Sequence, residues 1–561
     1  MTQRLLLTIL ILLPFIGICQ QLTLVNNIEG RHKISLNGQW EILIDPYENG
    51  FYDYRLKESD NGFFKNAKPK SKRELIEYDF VSTDYLNVPG DWNSQREKLN
   101  LYEGTIWYKK SFEYVIQNNK RQFLYFGACN YYSIVYLNGK KLGEHEGGFT
   151  PFSFEVTGQI KAKDNFIVVK VDNKRRADGV PTVNTDWFNY GGITRDVYLA
   201  ETESNFIQDY SIQLAKGTSN NINGYISLNA YQPNQTVTLA IPELKINKQI
   251  AINKENKARF SLQANPTLWS PETPKLYDVF LVFNGDTLKD KIGFRTIETK
   301  GTDILLNGKS VFLKGICIHE EVPQRVGRAN GYDDARMLLG WAKELGCNYV
   351  RLAHYPHNEA MLKVADELGL MVWSEIPVYW TIHYWDTAVL TKAKNQLEAE
   401  ITQNKNRASI IIWSIANETP VSDARNTFLS TLCNYTKSLD STRLLSAALE
   451  RTRGKDNNTV ALNDPLGEYL DVLGCNEYIG WYEGKPEDCL TKTWETIYNK
   501  PMVISEFGGE ALYGKHGDKE ELWNEESQAD LYEYQLKMLS KIPFLKGMSP
   551  WILADFRSPR R

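Results

Sequence analysis

The sequence predicts a multidomain protein: a jelly-roll β-sandwich, an immunoglobulin-like β-sandwich, and a (β/α)8 TIM barrel lacking its last helix. Three observations predict it. Residues 22 to about 200 carry short runs of period-2 alternation, such as Ile34–Ile44, Ser133–Leu137 and Phe166–Val171, broken by turn signals at Asn138-Gly139 and Pro89-Gly90. Residues of about 203–298 continue with short strands in a stretch the size of one small sandwich, among them Thr236–Ile241 and Tyr277–Phe283. Beyond Gly301 the pattern changes to strand and helix in alternation, which calls for a parallel sheet.

The chain has 561 residues, 42% hydrophobic and 24% charged, which is ordinary globular composition with room for about three to five domains. Formal net charge is −4, so no basic excess is available for phosphates and nucleic acid is not an expected partner. Aromatic residues are plentiful, with 31 Tyr, 23 Phe and 14 Trp. Most serve core packing, and flat rings also suit sugar faces.

Residues 1–19 read as a signal peptide: Arg4, an apolar run from Leu5 to Ile18, and small residues near Cys19. The run is short for a membrane span. An exported protein, periplasmic or extracellular, is expected. Lipid attachment at Cys19 is the competing reading, disfavoured by Ile18. The six remaining cysteines form no CxxC pair and read as buried thiols.

The jelly roll is assigned to residues 20–202, with the charged stretch from Asn49 to Asp79 as a surface insertion. The second sandwich takes 203–298 and the barrel 299–561. Its expected strands are Phe312–His319, Asn348–His354, Met371–Glu375, Ser409–Asn417, Leu444–Glu450, Val472–Tyr478, Met502–Phe507 and Met548–Phe556. Helices are expected at Asp333–Leu345, Glu359–Leu368 and Gln528–Leu539, in strict β-then-α order. Five residues follow the eighth strand, so an incomplete barrel is expected, prone to aggregation and weakly active by itself.

A barrel of this kind carries its active site at the C-terminal ends of the strands. Strand four ends in Asn417-Glu418 and strand seven in Glu506. Two carboxylates on one rim suit glycoside hydrolysis: one gives a proton to the leaving oxygen and the other attacks or activates water. Nearby strand ends add His354 and Tyr478, and strand eight contains Trp551. His354 and His357 are not a helical metal pair, because Pro356 lies between them, and no metal is expected.

The run from Asn404 to Glu418 resembles the acid/base signature of glycoside hydrolase family 2, and Asn348–Pro356 resembles the family's other signature. The resemblance covers nearly the whole mature chain and implies a retaining exo-β-glycosidase that needs no organic cofactor. It implies Glu418 as general acid/base and Glu506 as nucleophile. Desolvation and the neighbouring Glu506 charge should then keep Glu418 protonated, with Tyr478 as a donor to an ionised Glu506 and Asn417 holding the sugar 2-hydroxyl. Thr185–Arg195 and Asn476–Tyr482 resemble the β-glucuronidase branch, whose jelly-roll aspartate, here Asp186, contacts sugar hydroxyls. In the β-galactosidase branch a His two residues after the strand-three Glu helps bind magnesium; here that position is Pro377. The chain stops at Arg561, before the branch's carboxylate-holding Asn-x-Lys motif; Arg557, Arg560 and Arg561 lie near that place as a basic loop end. The expected partner is a carbohydrate or glycoconjugate, with oligomeric state open. The alternatives are a β-galactosidase or other family 2 β-glycosidase, and a non-catalytic carbohydrate-binding relative.

Overall fold

The computed structural model describes residues 24–559, apart from 59–61, 75, 77–79, 81–83, 118 and 232. The signal-peptide reading, Cys19, Arg560 and Arg561 therefore lie outside the described residues.

Antiparallel strands build the N-terminal sandwich. One sheet runs Asp84–Val88, Gly38–Ile44, Thr105–Phe112, Asn165–Asp172, Tyr132–Leu137, Lys140–Glu146 in spatial order; the other runs Lys33–Ser35, Val197–Glu203, Lys120–Phe126, Phe152–Glu155. Their inward residues, including Trp40, Tyr108, Phe126 and Val169, form one core, as alternation requires. The 49–79 stretch is less superficial than expected. Phe51, Phe63 and Phe64 are buried against Trp107 and Tyr136, because an outward Trp needs cover.

The second sandwich packs a three-stranded sheet on a four-stranded one around Ile212, Ile226, Leu239 and Leu281. It sits under the barrel: Arg295 donates to the carbonyls of Ala408 and Ile410 at the start of strand four, and the Trp269 indole donates to Asp366 O at 2.9 Å.

The barrel sheet has nine hydrogen-bonded segments, all parallel. Leu313–Lys314 and Cys317–Ile318 are two pieces of strand one; the first pairs with the last strand and the second with strand two, which closes the ring. The other strands are Tyr349–Leu352, Met371–Glu375, Ile410–Asn417, Leu444–Leu449, Leu473–Asn476, Met502–Glu506 and Leu545–Met548. Strand four is buried along its whole length, as an apolar strand covered on both faces must be.

Two expectations need correction. Strand eight is Leu545–Met548, not Met548–Phe556. Single backbone bonds continue past it, from Ser549 N–H to Ile504 O and from Trp551 N–H to Phe507 O, both at 2.9 Å, but Pro550 has no N–H to give, so the regular ladder ends and Trp551 lies beyond it. Nor is the order strictly β-then-α. Helices Tyr332–Glu344, Glu359–Leu368, Thr387–Asn404, Asp423–Leu439 and Glu525–Leu539 follow strands one, two, three, four and seven; none follows five or six among the described residues. Those connections hold Pro465, Gly467, Gly480, Gly484 and Pro486, which interrupt any helical run. They fold instead into 3-10 turns and a small sheet of Thr452–Arg453, Thr459–Ala461 and Thr493–Glu495. The last helix starts three residues before the expected Gln528, because Asn524 caps it by accepting from Ser527 N–H at 2.7 Å.

The six described cysteines are free, and all but the half-buried Cys347 are buried. No described helix is long and apolar enough to cross a membrane.

Candidate active site

A cleft of about 1120 Å³ opens at the C-terminal ends of the barrel strands. Asp186, His354, Glu418, Tyr478, Tyr482, Glu506 and Trp551 all line it. Asn417 lies buried just beneath. The residues chosen from sequence therefore converge on one place, although Asp186 comes from the jelly roll.

The floor is organised by Arg351, which projects from strand two and is fully buried. Nη1 donates to Glu506 Oε1 at 2.6 Å. Nη2 donates to Glu375 Oε1 at 2.9 Å and to Asn417 Oδ1 at 2.7 Å. One planar cation thus ties together the ends of strands two, three, four and seven, a task suited to the guanidinium's fixed fork of donors. Against the cost of burial, Arg351, His354 and the Trp373 indole hold the Glu375 carboxyl down at about 2. His354 Nδ1 lies 2.8 Å from Glu375 Oε1, its Nε2 is 3.7 Å from Glu506, and its ring stacks on Trp551 at 5.1 Å.

The two candidate carboxylates sit differently. Glu506 is 5% exposed and accepts from the Tyr478 hydroxyl at 2.8 Å as well as from Arg351. Burial pushes its carboxyl above the usual range, while Arg351, His354 and Tyr478 pull the other way. Glu418 is only half-buried. Its Oε2 accepts from the Trp380 indole at 2.8 Å and its Oε1 from Asn476 Nδ2 at 3.0 Å. Glu418 and Trp380 both have left-handed backbones, with φ of 49° and 51°. Such a conformation costs a non-glycine residue about 1–3 kcal/mol and concentrates at functional sites. Backbone bonds from Trp380 N to Asn417 O and from Asn417 N to Val378 O lock the two turns together.

Asn417 Oδ1 is taken by Arg351 and Asn476, and its buried Nδ2 has no partner among the described residues. A buried donor left in this way is costly unless a ligand completes it.

The jelly roll meets the barrel beside this floor. Trp187 packs with Tyr355 and Tyr379, and Arg195 donates to Glu320 Oε1 at 3.1 Å and to Pro356 O at 2.6 Å. Asp186 Oδ1 accepts from Ser558 Oγ at 2.7 Å. Arg557 does not reach into the cleft. Its guanidinium lies 3.7 Å over the Phe188 ring, its N–H donates to Glu321 Oε2 at 3.0 Å, and its carbonyl accepts from Phe188 N–H at 2.9 Å. The Tyr190 hydroxyl donates to the same Glu321 oxygen, and burial pushes this carboxyl up to about 7.

Arg351, Glu375, Trp380 and Asn476 also belong to this site; the first two and Asn476 are legible as strand-end residues but carried no assigned role, and Trp380 was missed. A charged residue inside an apolar strand was a usable signal for Arg351. Trp380 follows strand three in an irregular turn, where the sequence carries no periodic signal.

The arrangement can hold one carboxylate against a cation while a second, more accessible one exchanges a proton. Family models describe the same order of parts: Glycosyl hydrolases family 2, sugar binding domain, matches residues 34–203; Glycosyl hydrolases family 2 matches 196–295; and Glycosyl hydrolases family 2, TIM barrel domain, matches 297–559. A putative beta-glucuronidase of Formosa agariphila is 30% identical, over 92% of this chain and 67% of that protein. A beta-glucuronidase of Paenibacillus borealis is 28% identical, over 84% of this chain and 85% of that one. Among solved structures, a beta-glucuronidase from Ruminococcus gnavus in complex with D-glucaro 1,5-lactone is 26% identical, with a TM-score of 0.79, covering 94% of this chain and 92% of that chain. Two sandwiches and a barrel match one family in one order, and Glu418 and Glu506 both fall within the matched barrel, so the chain belongs to glycoside hydrolase family 2 and is a glycoside hydrolase.

Proposed function

We propose that the protein is a retaining exo-β-glycosidase acting on terminal β-linked glucuronic acid, with Glu506 as nucleophile and Glu418 as general acid/base. The observation that carries the reading is the unequal setting of the two carboxylates in one cleft. In the first step Glu506 attacks the anomeric carbon as Glu418 gives its proton to the glycosidic oxygen, and the bond to the leaving group breaks. In the second, Glu418 takes a proton from water as its oxygen attacks the same carbon, releasing Glu506. Arg351 and Tyr478 steady the charge on Glu506 before attack and as it leaves. The unpartnered Nδ2 of Asn417 suits the sugar 2-hydroxyl, and Asp186 suits hydroxyls on the jelly-roll side. The preference for glucuronic acid is supported by the relatives named beta-glucuronidase and by the likeness of the Asp186 loop. We also propose that the protein is exported, which a mature N-terminus at Gln20 would support.

A panel of 4-nitrophenyl β-glucuronide, β-galactoside, β-galacturonide and β-mannoside tests the sugar. The glucuronide should be cleaved fastest, with initial release of the β-anomer by NMR. Faster cleavage of another member would reassign the sugar, and release of the α-anomer would refute retention.

A further inference from the structure

The cleft is larger than one sugar ring requires, since its volume exceeds the roughly 300–1,000 Å³ that encloses a drug-sized ligand. Away from Glu418 and Glu506 it runs along the small sheet that replaces the helices after strands five and six. This outer wall carries Arg451, Arg453 and Lys492. Arg451 is neutralised by Glu483 at 2.6 Å. Arg453 and Lys492 have no carboxylate partner among the described residues; Lys492 Nζ donates only to the carbonyl of Asn457, at 3.0 Å. They stand on either side of the sheet's central strand, Arg453 in one outer strand and Lys492 at the start of the other. The one acidic side chain of this sheet that faces the cleft, Asp456, is occupied by its own turn, accepting from Asn458 N–H and Thr459 Oγ1. Of the other acidic lining residues, Glu483 is paired with Arg451, Asp186 comes from the jelly roll, and Glu418, Glu450, Glu506 and Glu510 lie at or just beyond the ends of strands four, five and seven. The cleft is therefore polar along its length, acidic at the carboxylate pair and basic at its outer wall. Unpaired cations in a concave wall concentrate field on an anionic group entering it.

We propose that this outer compartment is a leaving-group subsite for a sugar carrying an anionic substituent, a sulfate ester or a carboxylate, held by Arg453 and Lys492. The proposal rests on the reading of the cleft as a β-glycosidase site and adds the class of sugar on the far side of the scissile bond. Arg453 offers a fork of donors to two oxygens of either group, and Lys492 offers a point charge. Exposed pairs of this kind discriminate modestly, so a preference of roughly fivefold over a neutral sugar is expected.

The test is calorimetric binding to the full chain carrying Glu506→Gln, which prevents cleavage. The probes are three β-linked disaccharides of glucuronic acid: on galactose, on galactose 6-sulfate and on galacturonic acid. At least one anionic disaccharide should bind roughly fivefold or more tightly than the neutral one. The difference should vanish in Glu506→Gln/Arg453→Ala/Lys492→Ala, and also in about 1 M salt, where the screening length is about 3 Å. Preference for sulfate alone or carboxylate alone identifies the group. Equal affinity for all three probes, or a preference that survives the added substitutions, overturns the proposal. Turnover of 4-nitrophenyl β-glucuronide by the unsubstituted protein reports separately on the carboxylate pair.

Discussion

At the floor of the cleft the Arg351 guanidinium is fully buried and meets two carboxylates, whereas at the outer wall Arg453 is exposed and meets none among the described residues. The floor rises from strand ends packed on all sides, where every polar atom needs a partner. The wall is a three-stranded patch on the rim, where charges remain solvated, flanked by the loop after strand six in which Tyr482 is 62% exposed. The difference teaches which parts of the cleft are fixed by folding and which are left open to a ligand. Floor substitutions should damage chemistry and stability together; wall substitutions should alter ligand preference alone.

The largest effect is expected at the carboxylate pair. Glu506→Ala and Glu418→Ala should each lose about 10⁴-fold or more in kcat. They should differ in kind: Glu418→Ala still forms a glycosyl-enzyme from substrates with good leaving groups, and azide should speed its release, whereas Glu506→Ala forms none. Mass spectrometry of the trapped protein reads this, and near-normal turnover in either variant would reject the pair.

Arg351→Met removes the buried guanidinium that Glu375 and Glu506 share, so stability should fall by about 3–5 kcal/mol. An unchanged urea midpoint would show that the floor does not depend on this cation. Asp186→Ala should lower kcat/KM by about 1–3 kcal/mol with normal folding, the cost of leaving a sugar hydroxyl unmatched. Unchanged kinetics would place the jelly-roll loop outside the site.

Acid should attack the floor before the wall. Glu375 has its carboxyl depressed to about 2 in the folded state, so its contribution is complete above its ordinary value near 4.5 and drains away as pH falls toward 2. Glu375→Gln should flatten the loss of melting temperature across that window; an identical acid profile would remove Glu375 as its source. The smallest effect is expected at the wall: Tyr482→Ala should change stability by less than about 0.5 kcal/mol. A larger drop in melting temperature would mean that the wall is part of the fold's support.

Much of the site was legible because barrel strands end where chemistry must sit, so Glu418, Glu506 and His354 followed from where apolar runs stop. Strands three and four were legible in the same way, being β-branched or apolar except at Ser374, Glu375, Ser414 and Asn417. What escaped was set by contacts distant in sequence. Arg351 appears alone in a strand, and only folding brings it Glu375 and Glu506 from 24 and 155 residues away. Strand eight was misplaced because Gly547 and Pro550 blur an apolar run whose limit is set by pairing with Leu313. The small sheet after strands five and six was missed because two-residue and three-residue strands carry no readable period.

The bond from Ser558 to Asp186 has a consequence in time. The two residues are 372 positions apart. At the roughly 5–20 residues per second of synthesis, Asp186 leaves the ribosome about 20–75 s before Ser558 exists to meet it. The jelly roll can be folded throughout that interval while the segment that steadies its aspartate is still missing. The ring is equally unfinished, because strand eight has yet to pair with Leu313. A nascent chain stalled short of these residues should therefore hold its sandwiches natively and turn over nothing, with activity appearing as a late, abrupt event of biosynthesis.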